Sequence, residues 1–250
     1  MGMPITIEIA EKGSDQKNGA QAHAAAIEKV FAHFAHVDEK FSTYKDTSEI
    51  TAINKKKIAR ENWSEEMELV FALAEEAKTT TGGHFDIQRP DGSYDPSGLV
   101  KGWALWNAAQ LLTKEGFENF YVDAGGDIQP HGMNNEGQPW AIGIKNPWSQ
   151  NENIKVVYAK NGEGVATSGT YIRGEHIYNP HTGKAANEIT SLTVIGPNIY
   201  EADLFATAAF AMGENAIQFI ESLPGFEGYM IDNDKVATMT TGFEKYANEN

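Results

Sequence analysis

Alternation of apolar and polar residues begins at once. Ile5, Ile7 and Ile9 alternate with Thr6 and Glu8, so residues 3–10 (MPITIEIA) predict a strand. The pattern then changes period. Residues 20–41 (AQAHAAAIEKVFAHFAHVDEKF) form an Ala-rich amphipathic helix bearing His23, His33 and His36. His33 and His36 have near-helical spacing without an evident acidic or third His partner, which marks them as surface or core histidines. Residues 64–83 predict a second helix with Ser64 as N-cap and Gly82-Gly83 as its stop; Met67 stands where a capping box would place Glu or Gln. A third spans 98–116 and closes at Gly116.

Residues 119–132 predict a strand that breaks at Gly125-Gly126, and 138–147, 153–169 and 191–197 are strand-like between turns rich in Gly, Asn and Pro. A small-residue helix over 198–213 follows, then AIQFIESLPG and a short strand, GYMIDND. Strands and helices interleave without a regular β-α-β rhythm. The expectation is an α+β fold, a mixed or antiparallel sheet with flanking helices, with residues 1–250 forming one domain or two tightly joined lobes.

Charge changes the picture more than composition does. Hydrophobic residues at 41% and charged residues at 22% are ordinary for a globular chain of 250 residues. A net charge of −15 argues against nucleic acid and against a basic membrane-surface patch. An acidic protein that handles a polyanionic small molecule needs a local cation, which points to a metal. With no cysteine, thiolate sites and disulfides are excluded. No window reaches transmembrane length, and the opening residues lack the pattern of a signal peptide, so the expectation is a cytoplasmic protein, or an exported one if a signal segment has been trimmed.

Five polar islands could carry chemistry. Residues 41–54 (FSTYKDTSEITAIN) are rich in hydroxyls and, taken alone, read better as a helix–loop–helix junction where Ser48 caps the next turn. Residues 82–88 (GGHFDIQ) and 95–106 (DPSGLVKGWALW) make a Gly-led turn into a helix carrying Lys101, suited to phosphate but without Walker spacing. Residues 122–128 (VDAGGDI) bracket two glycines with aspartates, either a tight turn or a place of close ligand approach. Residues 166–184 form a hydroxyl- and glycine-dense loop with Arg173 and His176, the latter a core histidine or a proton shuttle. In 198–213 (NIYEADLFATAAFAMG), Asp203 and Thr207 share one helix face, four residues apart. Each alone has a plain explanation, Asp203 as partner of the helix dipole and Thr207 bonded to the carbonyl one turn back. Their common face fits a hard cation such as Mg²⁺.

Together and in order, MGMPITIEI, FSTYKDTSEITAIN, GGHFDIQ, DPSGLVKGWALW, VDAGGDI, ATSGTYIRGEHIYNP and EADLFATAAFAMG resemble the FAD:protein FMN transferase family of the ApbE type. The resemblance implies an Mg²⁺-dependent enzyme that takes FAD as substrate. It would link FMN through its phosphate to a Thr or Ser of a target flavoprotein and release AMP. It implies a metal site of Gly98 (through its carbonyl), Asp203 and Thr207. FAD contacts map to Met3, Ser42, Asn54, His84, Phe85, Asp86, Asp95, Lys101 and Ile177, and a catalytic role to His176 beside Asp203. Ser97 and Val100 depart from the small aliphatic residues frequent in the family. The family's acceptor pattern, Asp-x-x-Ser/Thr-Gly-Ala-Ser/Thr, has no match here; GVATSGT lacks the Asp and the Ala, so self-modification is not expected. An FAD pyrophosphatase releasing FMN and AMP, and a non-catalytic FAD-binding protein, are the alternatives.

Overall fold

A computed structural model describes residues 2–11, 19–170 and 177–247. Its centre is a seven-stranded sheet in the order β1-β2-β3-β6-β9-β10-β11, antiparallel at every pairing. The strands are β1 (Ile5–Ile9), β2 (Phe120–Ala124), β3 (Asp127–His131), β6 (Gly164–Gly169), β9 (Ile189–Gly196), β10 (Glu227–Asp232) and β11 (Ala237–Met239). A separate hairpin joins β4 (Trp140–Asn146) to β5 (Ser149–Ala159), and a short one joins β7 (Tyr178–Asn179) to β8 (Lys184–Ala185).

The helices are α1 (Gly19–Phe41), α2 (Glu49–Asn54), α3 (Glu65–Thr80), α4 (Ser97–Lys114), α5 (Ile199–Phe210) and α6 (Ala216–Glu221). Alternation along the strands sorts side chains onto two cores. Val122, Ala166, Leu192, Val194 and Met230 join the buried faces of the helices. Val165, Ile195, Tyr229 and Ile231 point the other way, onto Ile142, Ile144, Val157 and the C-terminal Phe243 and Tyr246. The sheet therefore has helices on one face and the β4–β5 hairpin on the other.

Local chemistry sets the boundaries. Ser48 and Ser64 cap α2 and α3 by accepting from the Thr51 and Met67 amides. Asn198 caps α5 by accepting from the Glu201 amide. The strand expected over 153–169 is two strands, β5 and β6, parted by a turn at Lys160–Glu163 in which Gly162 has φ +80°. His36 does have an acidic partner, contrary to the sequence reading, because α3 brings Glu66 Oε2 to 2.8 Å from its Nε2. His33 meets the Ala104 carbonyl at 3.0 Å. Both partners are distant in sequence, so helical spacing alone could not reveal them. No helix among the described residues is long and apolar enough to cross a membrane.

Candidate functional site

Two helices with matched four-residue repeats make the site. On α4, Gly98 and Gly102 lie on one face; on α5, Asp203 and Thr207 lie opposite them. The crossing is so close that Gly102 has no room for a Cβ, and Gly98 has little. A Cβ on Gly102 would stand 2.8 Å from Asp203 Cβ and 2.9 Å from the Ile199 carbonyl, and one on Gly98 would stand 3.3 Å from Thr207 Cγ2. The Gly102 N–H donates to Asp203 Oδ2 at 2.9 Å. In a regular helix the acceptor of that N–H is the Gly98 carbonyl, which here keeps lone-pair capacity.

Lys101 sits between two carboxylates. Its Nζ is 2.9 Å from Asp203 Oδ1 and also pairs with Asp127 Oδ2. Asp127 comes from the start of β3, just after the Gly125-Gly126 turn (φ +68° and +99°), and its Oδ1 accepts from the Thr167 amide at 2.9 Å. Asp127 Oδ2 is buried against the Lys101 ammonium. With both acids ionised, two carboxylates around one ammonium leave one negative charge unbalanced, and both carboxylates are buried. Burial pushes the Asp203 carboxyl up to about 7; Lys101 opposes that shift and Asp127 adds to it. Burial works against the Lys101 ammonium as well, but Asp127 and Asp203 together hold its pKa above the ordinary lysine value.

The plain explanations of the Asp–Thr stripe do not hold. Asp203 directs its oxygens to Gly102 and Lys101 on another helix, while Asn198 caps its own. Thr79, Thr81 and Thr113 bond the carbonyl four residues back at 2.9, 2.8 and 3.1 Å. Thr207 makes no such bond among the described residues, and its residue lines a cavity.

That cavity holds about 420 Å³, within the range of ligand sites. Of the residues singled out from sequence, Met3, Ser42, His84, Phe85, Asp86, Asp95, Gly98, Lys101, Ile177 and Thr207 line it. Asp203 stands behind Lys101 rather than on the wall. Asn54 is not on the wall either. Its amide donates to the Tyr94 carbonyl at 2.9 Å and accepts from the Tyr94 N–H at 2.8 Å, clamping the loop that leads into α4. His176 lies outside the described residues. At the rim, Asp86 pairs with Lys78 at 2.7 Å and Asp95 pairs with Arg89. Sequence reasoning assigned no role to Asp127, Thr167, Arg89, Tyr44 or Tyr178. The signal for Asp127 was present in the aspartates bracketing Gly125-Gly126; its pairing with Lys101 on α4 was not.

Among the described residues no three His, Cys, Asp or Glu side chains converge as a metal cluster. A site for a hard cation would instead combine one carboxylate with a hydroxyl and a carbonyl, the donor types Mg²⁺ prefers. Asp203, Thr207 and Gly98 supply those types on facing helical turns. The unbalanced negative charge beside them suits an added cation.

Comparison with known proteins gives consistent results. The chain matches the ApbE family over residues 1–91 and 87–230. It is 32% identical over 160 residues to the FAD:protein FMN transferase of Salmonella typhimurium, covering 60% of this chain and 46% of that protein. With the FAD:protein FMN transferase of Vibrio cholerae it shares 30% identity over 178 residues, covering 68% and 52%. The chain thus spans about half the length of the curated relatives it matches. The fold superposes on the flavin transferase ApbE from Vibrio cholerae with TM-score 0.80 and 23% identity, over 98% of this chain and 96% of that one. Against the ApbE protein of Thermotoga maritima the TM-score is 0.79 at 22% identity, covering 99% and 100%.

Proposed function

The chain belongs to the ApbE family, and from that premise we propose that it is an Mg²⁺-dependent FAD:protein FMN transferase acting on a Thr or Ser of a target flavoprotein. One observation carries the reading: a half-buried Lys101, flanked by the buried Asp127 and Asp203, opens onto a 420 Å³ cavity walled by islands far apart in sequence. With two carboxylates to one ammonium, the site would take an anionic phosphate together with an added cation.

The pyrophosphate of FAD meets the first turn of α4, where the positive end of the helix dipole and the Lys101 ammonium supply positive potential. Asp203, Thr207 and the Gly98 carbonyl would hold Mg²⁺, which when bound stabilises charge on the phosphate oxygens. Asp127 orients Lys101, and the Thr167 amide in turn fixes Asp127. The acceptor hydroxyl oxygen forms a bond to the flavin-side phosphorus while the bridging P–O bond breaks, and AMP leaves with that electron pair. The hydroxyl proton is taken up by His176, a role assigned by family resemblance, and passes to solvent. In-line placement by the cavity walls supplies the advantage a weakly nucleophilic hydroxyl needs.

The test is incubation with FAD, Mg²⁺ and a peptide of sequence Asp-x-x-Thr-Gly-Ala-Thr, followed by mass spectrometry. The expected result is covalent FMN on the threonine with one AMP released per modified peptide. FMN and AMP free in solution, with unmodified peptide, would make the protein a pyrophosphatase. Intact FAD after prolonged incubation would make it a binding protein.

A further inference from the structure

A second cavity, of about 280 Å³, lies on the hairpin side of the first. Its floor is the β2–β3 turn, with Asp123, Gly125 and Gly126, and its side is a run of β4 from Trp140 to Gly143 with Lys145. Gly125 and Thr167 line both cavities, so the two meet at these residues. Thr167 is also the residue whose amide holds Asp127 against Lys101. The cleft therefore ends one side chain away from the phosphate-binding end of the first cavity.

Strand β4 pairs with β5 alone among the described residues, and the cleft runs along β4, taking only Asn153 from β5. A strand with one edge unladdered presents backbone donors and acceptors in register for an added strand. The turn below it has two glycines and no side chain at Gly125 or Gly126 to obstruct a backbone. Ala141 is exposed, so the wall is low there, while the Asn153 side chain lies over Gly143 and offers its amide to an incoming segment. Asp123 and Lys145 place one charge of each sign at the cleft, Asp123 also accepting from the Gly126 amide at 2.8 Å.

We propose that this cleft receives the hydroxyl-bearing segment of the acceptor protein, added as an extended strand along β4 and ending at Gly125 and Thr167 beside the bound pyrophosphate. The inference rests on the transferase reading. It makes the two substrates enter by separate openings, FAD on the helix side of the sheet and the protein acceptor on the hairpin side. Main-chain pairing to β4 then supplies affinity, and the junction of the cavities sets which side chain reaches phosphorus.

Ala141→Arg fills the cleft from an exposed position, and Lys145→Glu reverses its positive charge. Both are measured with FAD, Mg²⁺ and the Asp-x-x-Thr-Gly-Ala-Thr peptide, with FAD affinity determined separately by calorimetry as the check on folding. The expected result is an acceptor KM raised about tenfold or more in Ala141→Arg, and raised in Lys145→Glu, with FAD affinity unchanged, the pattern of lost acceptor binding alone. Unchanged acceptor KM in both variants would overturn the proposal. So would an equal loss of FAD affinity, which would give the cleft to FAD. If the wild type binds FAD but never modifies the peptide, the transferase reading itself fails and the acceptor cleft falls with it; wild-type transfer with insensitive variants removes the cleft alone.

Discussion

The two faces of the central sheet are packed by different rules. On the hairpin face, Ile142, Ile144, Val157, Ile195 and Phe243 make an apolar core, and charges stay at its margin, as where Lys155 reaches Glu244 at 2.6 Å. On the helix face two buried carboxylates flank a half-buried ammonium, at a helix crossing so close that Gly102 has no room for a Cβ. Replacing a buried ion cluster with apolar side chains of similar volume is often neutral or stabilising. Stability therefore does not explain Lys101, Asp127 and Asp203. A core that keeps charge where hydrocarbon would serve is built for a charged ligand.

The comparison breaks most sharply at Asp203. Asp203→Asn keeps the shape and the Gly102 contact but lowers the site's negative charge. FMN transfer should fall by about 100-fold or more while the fold persists. Near-normal turnover at limiting Mg²⁺ would reduce Asp203 to a structural residue. Next in size is Lys101→Ala, which strands two buried carboxylates and should cost about 3–5 kcal/mol in metal-free denaturant unfolding. Lys155→Ala on the hairpin face removes a marginal pair and should cost about 0–1 kcal/mol. Similar losses from the two substitutions would erase the distinction between the faces.

A smaller effect sharpens the comparison through pH. Asp203 has a folded-state pKa of about 7 against 3.8 for the free side chain, so the folded protein binds this proton more tightly than the unfolded chain. Its contribution to stability is complete below the unfolded value and declines as pH rises through 7. A divalent cation competes with that proton for the same carboxylate. The rise in Tm on adding Mg²⁺ should thus be larger at pH 8 than at pH 6, and Asp203→Asn should remove the difference. A shift independent of pH in the wild type would place the cation elsewhere. The smallest expected effect is at Lys114, at the far end of α4 from Lys101. Lys114→Ala loses only a favourable helix-dipole term and should change stability by about 0.3–1 kcal/mol with FAD affinity intact.

Where sequence was informative, the reason was local. The i, i+4 stripe of Asp203 and Thr207, the Ser48 and Ser64 caps and the break at Gly125-Gly126 are each set by neighbours within a turn or two. What stayed hidden depends on chain crossings. Asp127 reaches Lys101 only because β3 enters the sheet beneath α4, and Glu66 reaches His36 only because α3 lies beside α1. Asn54 shows the opposite failure. Its place in a polar motif suggested ligand contact, while its amide is spent on the Tyr94 backbone. The turn at Lys160–Glu163 was legible in Asn161-Gly162, a strong turn signal that reading 153–169 as one strand passed over.

The central claim is that the charged crossing of α4 and α5 holds a hard divalent cation against FAD. Electron paramagnetic resonance of Mn²⁺, which shares the oxygen preference of Mg²⁺, tests it directly when the ion is titrated into protein with FAD present. The account predicts a bound-ion signal in the wild type that is lost in Asp203→Asn and weakened in Thr207→Val, with both variants still folded. Undiminished Mn²⁺ binding in Asp203→Asn would contradict it.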